Sequence, residues 1–175
     1  MEQSHNWASM LARMLRHRWV DESHARKAIP PDLAERLARR VKASEQHHTG
    51  EIRIYVEAGL PLGYLWRHAT PRERALAMFS KLRVWDTEHN NGVLIYLLLA
   101  ERAIEIVADR GLHREVPPNE WPAIVGRMGE AFRERRFEDG LTQAIDEVSA
   151  LLVRHFPATA GESNPNELPD APVLG

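Results

Sequence analysis

The chain has 175 residues, no cysteine and a formal net charge of −2 at pH 7. This length is typical of one domain with extensions, and it is enough to bury an apolar core without disulfides or a structural metal. A cysteine-free sequence excludes disulfides, thiolate metal sites and cysteine nucleophiles, and the slightly negative charge gives no reason to expect a nucleic-acid partner.

The N-terminal segment has the spacing of an amphipathic helix with arginines on its polar face. Its apolar positions are Trp7, Met10, Leu11, Met14, Leu15 and Trp19. Such a helix either lies on a membrane or a partner, or packs on its own domain. Packing of this helix on its own domain is favoured, because only one short helix supports binding to a membrane or a partner. Residues 21–29 are predicted to be a connector, so residues 1–29 form a separate N-terminal segment.

A helix, a strand and a second helix are predicted next. Pro30 and Pro31 begin the first helix, with Asp32 and Glu35 spaced as in a capping box. It ends near Gly50, a residue suited to a left-handed C-terminal position. Residues 51–57 alternate as a strand with one well-buried face. The second helix begins after Thr70, with a capping box closed by Glu73.

A β-hairpin is the most informative part of the chain. Val93 to Ala100 is an apolar run of strand length, and it alone is apolar on both faces, which predicts an interior strand. Ala103 to Ala108 is predicted to pair with it antiparallel after a short turn. The run is far shorter than the roughly 20 residues that cross a bilayer, and no signal peptide is recognisable. We therefore expect a cytoplasmic protein without a transmembrane segment.

Two helices and a tail follow the hairpin. The first helix begins near Asn119, and the second runs from about Phe137 to His155. Beyond Phe156 prolines and acidic residues replace the apolar periodicity, so residues 157–175 are predicted to be a disordered tail that adds little stability. The order of elements predicts an α/β/α sandwich around a small mixed β-sheet, with the first two strands parallel.

The hairpin also supplies the candidate site, because the start of its first strand lies beside the end of its second. Asp86, Asn91 and Asp109 are the candidate metal ligands, with Glu51, Glu88 and His89 as alternates. Their carboxylate and amide oxygens suit Ca²⁺ or Mg²⁺, whereas the imidazole of His89 would suit Zn²⁺ or Mn²⁺. The competing interpretation is that Asp86 and Asn91 bond local backbone amides. Arg110 either orients a phosphate or pairs with a neighbouring acid.

The motifs of this segment resemble the TPM domain family over about residues 30–156. The resemblance rests on T-G-E-I-R-I-Y-V-E, W-D-T-E-H-N-N-G-V-L-I-Y-L-L-L, A-I-E-I-V-A-D-R-G-L and F-E-D-G-L. The family includes a thylakoid-lumen acid phosphatase and photosystem-repair proteins, so the resemblance implies an α/β/α fold and, in some members, phosphatase activity and divalent-metal binding. The loop D-T-E-H-N and the turn Asp109-Arg110-Gly111 depart from the commoner pattern, and the chain is most similar to a short, soluble bacterial branch.

Two functions are predicted. The preferred one is a non-catalytic interaction or accessory module that has an unidentified, membrane-associated protein partner and can bind a divalent cation. The alternative is a metal-dependent acid phosphatase. The sequence has no recognisable phosphoryl-transfer nucleophile motif, so this enzyme would act through a metal-activated water.

Overall fold

The computed structural model describes residues 2–159 and 165–175. The elements in chain order are α1 (Glu2–Trp19), α2 (Glu22–Ala28), α3 (Pro31–Ser44), β1 (Ile52–Glu57), α4 (Leu62–Trp66), α5 (Pro71–Lys81), β2 (Val93–Leu98), a 3₁₀ turn (Leu99–Glu101), β3 (Ala103–Ala108), α6 (Arg110–Glu115), α7 (Glu120–Arg133), α8 (Phe137–His155) and β4 (Val173–Leu174). No helix among the described residues is both long and apolar enough to cross a membrane.

The strands form one mixed sheet in the order β3-β2-β1-β4. β1 and β2 are parallel, with Ile52 opposite Val93, and β2 and β3 are antiparallel, with Val93 opposite Ala108. The amino ends of β1 and β2 therefore lie beside the end of β3, as the sequence predicted. β2 is completely buried and interior, which confirms the assignment made from its apolar run.

Alternating side chains of β2 pack into two separate apolar cores, one on each face of the sheet. Val93, Ile95 and Leu97 pack with α2, α3, α6, α7 and α8, whereas Leu94, Tyr96 and Leu98 pack with α4 and α5. Period-two alternation sends neighbouring side chains to opposite faces, so an apolar residue at every position requires helices on both faces. The predicted α/β/α sandwich around a small mixed sheet is confirmed.

The prediction of a disordered tail is wrong for residues 165–175. β4 pairs parallel with β1, and Leu168 is 7% exposed in the core on the α5 side. The Gly175 amide donates to the Val56 carbonyl at 3.0 Å, and the Ala58 amide donates to the Gly175 carbonyl at 2.7 Å. The proline-rich composition of this segment made its few apolar residues hard to recognise as part of a strand. The free edge of β1 provides backbone hydrogen-bond partners for them. Residues 157–159 of the predicted tail belong to no helix or strand. Residues 160–164 lie outside the described part of the chain.

β4 also changes the environment of β1. The sequence predicted one buried face for this strand, but all six of its residues are buried. Arg53 is 8% exposed and donates from its guanidinium to the carbonyls of Pro169 and Ala171 in the tail segment. The C-terminal segment of the chain therefore covers the Arg53 end of the polar face of β1.

Three local predictions on the N-terminal side are also corrected. The predicted connector contains α2, because Asp21 accepts from the Ser23 amide and His24 completes a capping box in place of the usual Glu or Gln. α3 is preceded by Pro30 without a side-chain cap. Gly50 is required for close packing instead of a left-handed turn, since a Cβ there would lie 2.4 Å from Leu152 Cδ2. The capping box of Thr70 and Glu73 on α5 is confirmed.

Candidate functional site

The predicted metal ligands divide into two groups at the amino ends of β1 and β2. Asn91 and Asp109 are 0% and 8% exposed, and the Asp109 amide donates to the Gly92 carbonyl at 2.9 Å. Asp86, Glu88 and His89 are exposed in the loop before β2. The fold therefore buries Asn91 and Asp109 at the same end of the paired strands β2 and β3 and leaves the other three at the surface.

Each of these two buried side chains has one oxygen without a hydrogen-bond donor in the described part of the chain. The Asn91 amide donates to Thr49 Oγ1 at 3.1 Å, which leaves its Oδ1 unpaired. Asp109 Oδ1 accepts from the Arg110 amide at 2.7 Å, while Oδ2 has no donor. A buried acceptor without a partner costs about 1–3 kcal/mol, and a carboxylate and an amide oxygen are ligands that Ca²⁺ and Mg²⁺ accept. These two residues, which we call the amino-end site, each offer one oxygen of a type that a hard divalent cation accepts.

The other predicted ligands are differently placed. Glu51 lies at the same end and is 1% exposed, but its carboxylate accepts from the backbone amides of Glu167 and Leu168 at 3.3 and 3.2 Å. The Glu88 amide donates to the Glu167 carboxylate at 3.1 Å. Among the described residues, no group of three or more His, Asp or Glu side chains is arranged to hold a metal. A cation at the amino-end site would thus have few protein ligands and would complete its shell with water, as Mg²⁺ commonly does.

Arg110, the predicted phosphate-orienting residue, contacts an amide. Its Nε and Nη2 donate to Asn90 Oδ1 at 3.0 and 2.8 Å. The guanidinium is exposed at the amino end, so a phosphate would have to compete with Asn90 for its two N–H groups.

A pair of buried acids lies at this end, and of the two only Glu51 was recognised from the sequence. Glu45 is 9% exposed, and its Oε1 accepts from the Ile52 amide at 3.1 Å. Burial, with the charge of Glu51 as a second cause, raises the pKa of Glu45 to about 8. Burial likewise raises the pKa of Glu51 to about 7. The helix pattern does not identify Glu45 as buried, because Glu45 follows the last residue of α3. Its burial depends on the tertiary fold.

The carboxyl end of β1 holds a third buried glutamate in a different setting. Glu57 is 3% exposed and forms a bidentate ion pair with Arg74 of α5, whose Nε lies 2.9 Å from Oε2. Tyr96 Oη donates to the same carboxylate at 2.7 Å, and the Arg74 guanidinium stacks on Tyr64 at 4.7 Å from the ring centroid. This glutamate is fully satisfied, so it is a structural residue and not a free acid.

α1 packs on its own domain, but through its polar side. Arg13 donates to Glu101 at 2.7 Å and to the Ala69 carbonyl at 2.6 Å. His17 lies 2.8 Å from the same carboxylate and accepts from the Leu60 amide at 2.9 Å. Of the row that the sequence assigned to packing, Met14 is partly buried against the core on the α5 side. Trp7, Leu11, Leu15 and Trp19 of the same row are instead exposed by 62, 49, 57 and 78% respectively. We call these four residues the outer face of α1.

Comparison with known proteins agrees with this architecture. The structure is similar to the NMR structure of the BA42 protein from the psychrophilic bacterium Bizionia argentinensis, with a TM-score of 0.70 and 24% sequence identity over 81% of this chain and 91% of that one. This likeness concerns the fold alone. No curated protein matches the sequence significantly. The sequence model of the TPM domain matches residues 24–151, starting inside α2 and ending near the end of α8, and the chain belongs to the TPM domain family.

Proposed function

We propose that the protein is a non-catalytic interaction module that attaches to an anionic lipid surface through the outer face of α1. The observation that carries this proposal is the exposure of two tryptophans and two leucines at four-residue steps along one helix. Large apolar side chains that share one side of a helix normally face a core, and an exposed contiguous group of them marks an interaction surface.

The composition around this face favours a lipid surface. Tryptophan is enriched where a protein meets the interface of a bilayer, and Trp7 and Trp19 lie at the two ends of the row. Arg16 and Arg18 are exposed on the same helix, and residues 7–19 contain no acidic side chain. Basic side chains beside an inserted apolar face are attracted to anionic headgroups, by about 1 kcal/mol each at a cytoplasmic leaflet. We therefore place the protein on the cytoplasmic side of a membrane, beside membrane proteins.

Co-sedimentation with vesicles tests this attachment. The protein should bind vesicles that contain phosphatidylglycerol more strongly than vesicles of phosphatidylcholine alone, and added salt should weaken binding. Leu11→Glu with Leu15→Glu should abolish binding without unfolding the protein, because both leucines are about half exposed. Leu76→Glu on α5 is the matched control, since Leu76 is also 46% exposed but lies outside this face.

The attachment proposal fails if the double variant sediments with anionic vesicles as the unmodified protein does. It also fails if the unmodified protein binds neither type of vesicle. In that second case the protein does not attach to lipid. A protein partner would then be the remaining candidate to bind the outer face of α1.

We further propose that the amino-end site binds Ca²⁺ or Mg²⁺. The two unpaired buried oxygens of Asn91 and Asp109 support this. Binding to the folded state alone would raise the melting temperature at millimolar cation. Asp109→Asn should remove the rise while retaining a helix cap at α6, because asparagine caps as well as aspartate. Asp86→Asn should retain it, since Asp86 is exposed; the reverse result would return the ligand role to Asp86.

The second candidate function, a metal-dependent acid phosphatase, depends on the same site. A bound divalent cation would supply an activated water, and Arg110 would orient the phosphate after release from Asn90. Hydrolysis of p-nitrophenyl phosphate, measured with and without cation, tests this alternative. Activity that requires the cation and is lost in both Asp109→Asn and Arg110→Ala would favour the enzyme, whereas cation binding without hydrolysis favours the non-catalytic module.

A further inference from the structure

A cavity of about 890 Å³ opens beyond the carboxyl end of β2, away from the amino-end site. Its apolar lining comes from the end of the strand, the following turn, the junction of α7 with α8, and the two N-terminal helices. These residues are Val20, Ala28, Leu97, Leu99, Ala100, Phe132 and Phe137. The volume lies within the range of roughly 300–1,000 Å³ that is usual for small-molecule sites, and the crevice beyond the carboxyl ends of parallel strands is where open α/β sheets bind ligands.

The charged residues around this cavity, which we call the basic pocket, are almost all cationic. Arg16, Lys27, Arg102 and Arg135 line it together with His24, and Glu101 is the single acidic residue in the lining. The Glu101 carboxylate is already bound to Arg13 at 2.7 Å and to His17 at 2.8 Å.

The four Arg and Lys side chains of the lining have no acidic partner within ion-pair distance in the described ranges 2–159 and 165–175. Elsewhere on the surface, Arg36, Arg40 and Arg127 each contact a carboxylate. The pocket thus concentrates uncompensated positive charge on a protein whose formal net charge is −2. Its charge is complementary to an anion, and its apolar lining is complementary to a hydrocarbon or aromatic body.

We infer that the basic pocket binds a small organic anion that has one acidic head group, a carboxylate or a phosphate monoester, on an apolar body. The guanidinium groups of Arg102 and Arg135 would hold the head group by bidentate hydrogen bonds, and the apolar body would lie against Leu99, Phe132 and Phe137. The head group can come from a free molecule or from a membrane lipid, because the outer face of α1 belongs to the helix that also supplies Arg16. This inference is independent of the proposed function.

The backbone at the two arginines provides an unusually clean test. Arg102 and Arg135 have φ values of 49° and 58°, in the left-handed region that glycine adopts without strain. Replacing them by glycine removes the charge without straining the turn. Arg83 has a φ of 54° and is exposed outside the pocket, so Arg83→Gly makes the same chemical change in the same backbone conformation.

Calorimetric titration with octyl phosphate and octanoate measures the binding. We expect both to bind, and octylammonium and inorganic phosphate to bind at least tenfold more weakly. Arg102→Gly with Arg135→Gly should weaken octyl phosphate binding by at least tenfold, because hydrogen bonds to charged groups are among the strong ones. Arg83→Gly should bind as the unmodified protein does, and both variants should keep the melting temperature or raise it.

Three results would overturn the inference: equal binding of octylammonium, equal binding of inorganic phosphate, or unchanged affinity in the double glycine variant. Vesicles then identify the source of the head group. If the double glycine variant also loses affinity for anionic vesicles, the ligand is a membrane lipid; if it keeps that affinity, the ligand is a free molecule. Leu11→Glu with Leu15→Glu should keep octyl phosphate binding, which separates this result from a failure of the membrane proposal.

Discussion

The two ends of β1 each bury a glutamate, and they surround its carboxylate with different partners. Glu51, just before the strand, has two backbone amides as donors and a pKa raised to about 7 by burial. Glu57, the last residue of the strand, has the Arg74 guanidinium and the Tyr96 hydroxyl. A buried carboxylate that pairs with a cation keeps its charge, whereas one without a cation is driven toward its neutral form.

The same contrast extends across the sheet. The amino end collects acceptors, namely Glu45, Glu51, Asn91 and Asp109, and part of it is closed by the C-terminal segment of the chain. The carboxyl end places a satisfied ion pair on the α5 side and an open basic pocket on the other side. The amino end thus collects oxygen acceptors and the carboxyl end collects cationic side chains, and the two are separated by the length of a six-residue strand.

Breaking the ion pair at the carboxyl end should have the largest effect on stability. Arg74→Met leaves the Glu57 carboxylate buried with only Tyr96 as a donor, and loss of one partner from a buried pair costs about 3–5 kcal/mol. Urea denaturation measures the change. The double variant Glu57→Gln with Arg74→Met should be more stable than Arg74→Met alone. If the single and double variants unfold at the same urea concentration, the unpaired Glu57 carboxylate costs no stability. The difference in partners between Glu57 and Glu51 would then not affect the free energy of unfolding.

Removing the segment that covers the amino end should have the next largest effect. Deletion of residues 165–175 exposes the edge of β1, removes the buried Leu168 side chain and takes away both donors of Glu51. Burial of one leucine contributes about 2 kcal/mol and each lost hydrogen bond about 1 kcal/mol, so we expect a loss of roughly 3–5 kcal/mol. The melting temperature should fall by on the order of 10 °C. An unchanged melting temperature would show that the segment is not docked in solution.

The sequence was sufficient for the parts of the fold that depend on local pattern. The apolar run of β2 predicted an interior strand, the alternation of β1 predicted its extended form, and the register of the hairpin placed Asn91 near Asp109. These predictions succeed because side-chain periodicity and strand pairing are set within short segments. Belonging to the TPM domain family agrees with the same architecture.

Features that depend on distant segments were not predictable. Nothing near β4 indicates that a two-residue strand will find the free edge of β1, and nothing near α1 indicates that Arg13 and His17 will anchor it through Glu101. An amphipathic pattern identifies an apolar side but not whether the domain has room for it, so the outer face of α1 was assigned to packing. The basic pocket combines residues from three distant stretches of the sequence, 16–28, 97–102 and 132–137, and has no linear motif.

The last effect depends on pH and concerns the buried acid Glu45 at the amino end. The pKa of Glu45 is about 8 in the folded protein and near 4.5 when the chain is unfolded. Between these values the folded state holds more protons, so the contribution of Glu45 to stability is full below about pH 4.5 and is lost as the pH rises through 8.

Glu45→Gln keeps an oxygen acceptor for the Ile52 amide and cannot ionise. It should lie within about 1 kcal/mol of the unmodified protein near pH 5 and exceed its stability by on the order of 4 kcal/mol near pH 8.5. His48, whose pKa is lowered to about 4 by burial, destabilises both proteins equally below about pH 6.5 and cancels in the comparison. Glu35→Gln, on the exposed side of α3, is the control and should show no such dependence. If Glu45→Gln and the unmodified protein keep the same difference in stability from pH 5 to pH 8.5, Glu45 is ionised throughout, and burial at the amino end does not raise its pKa.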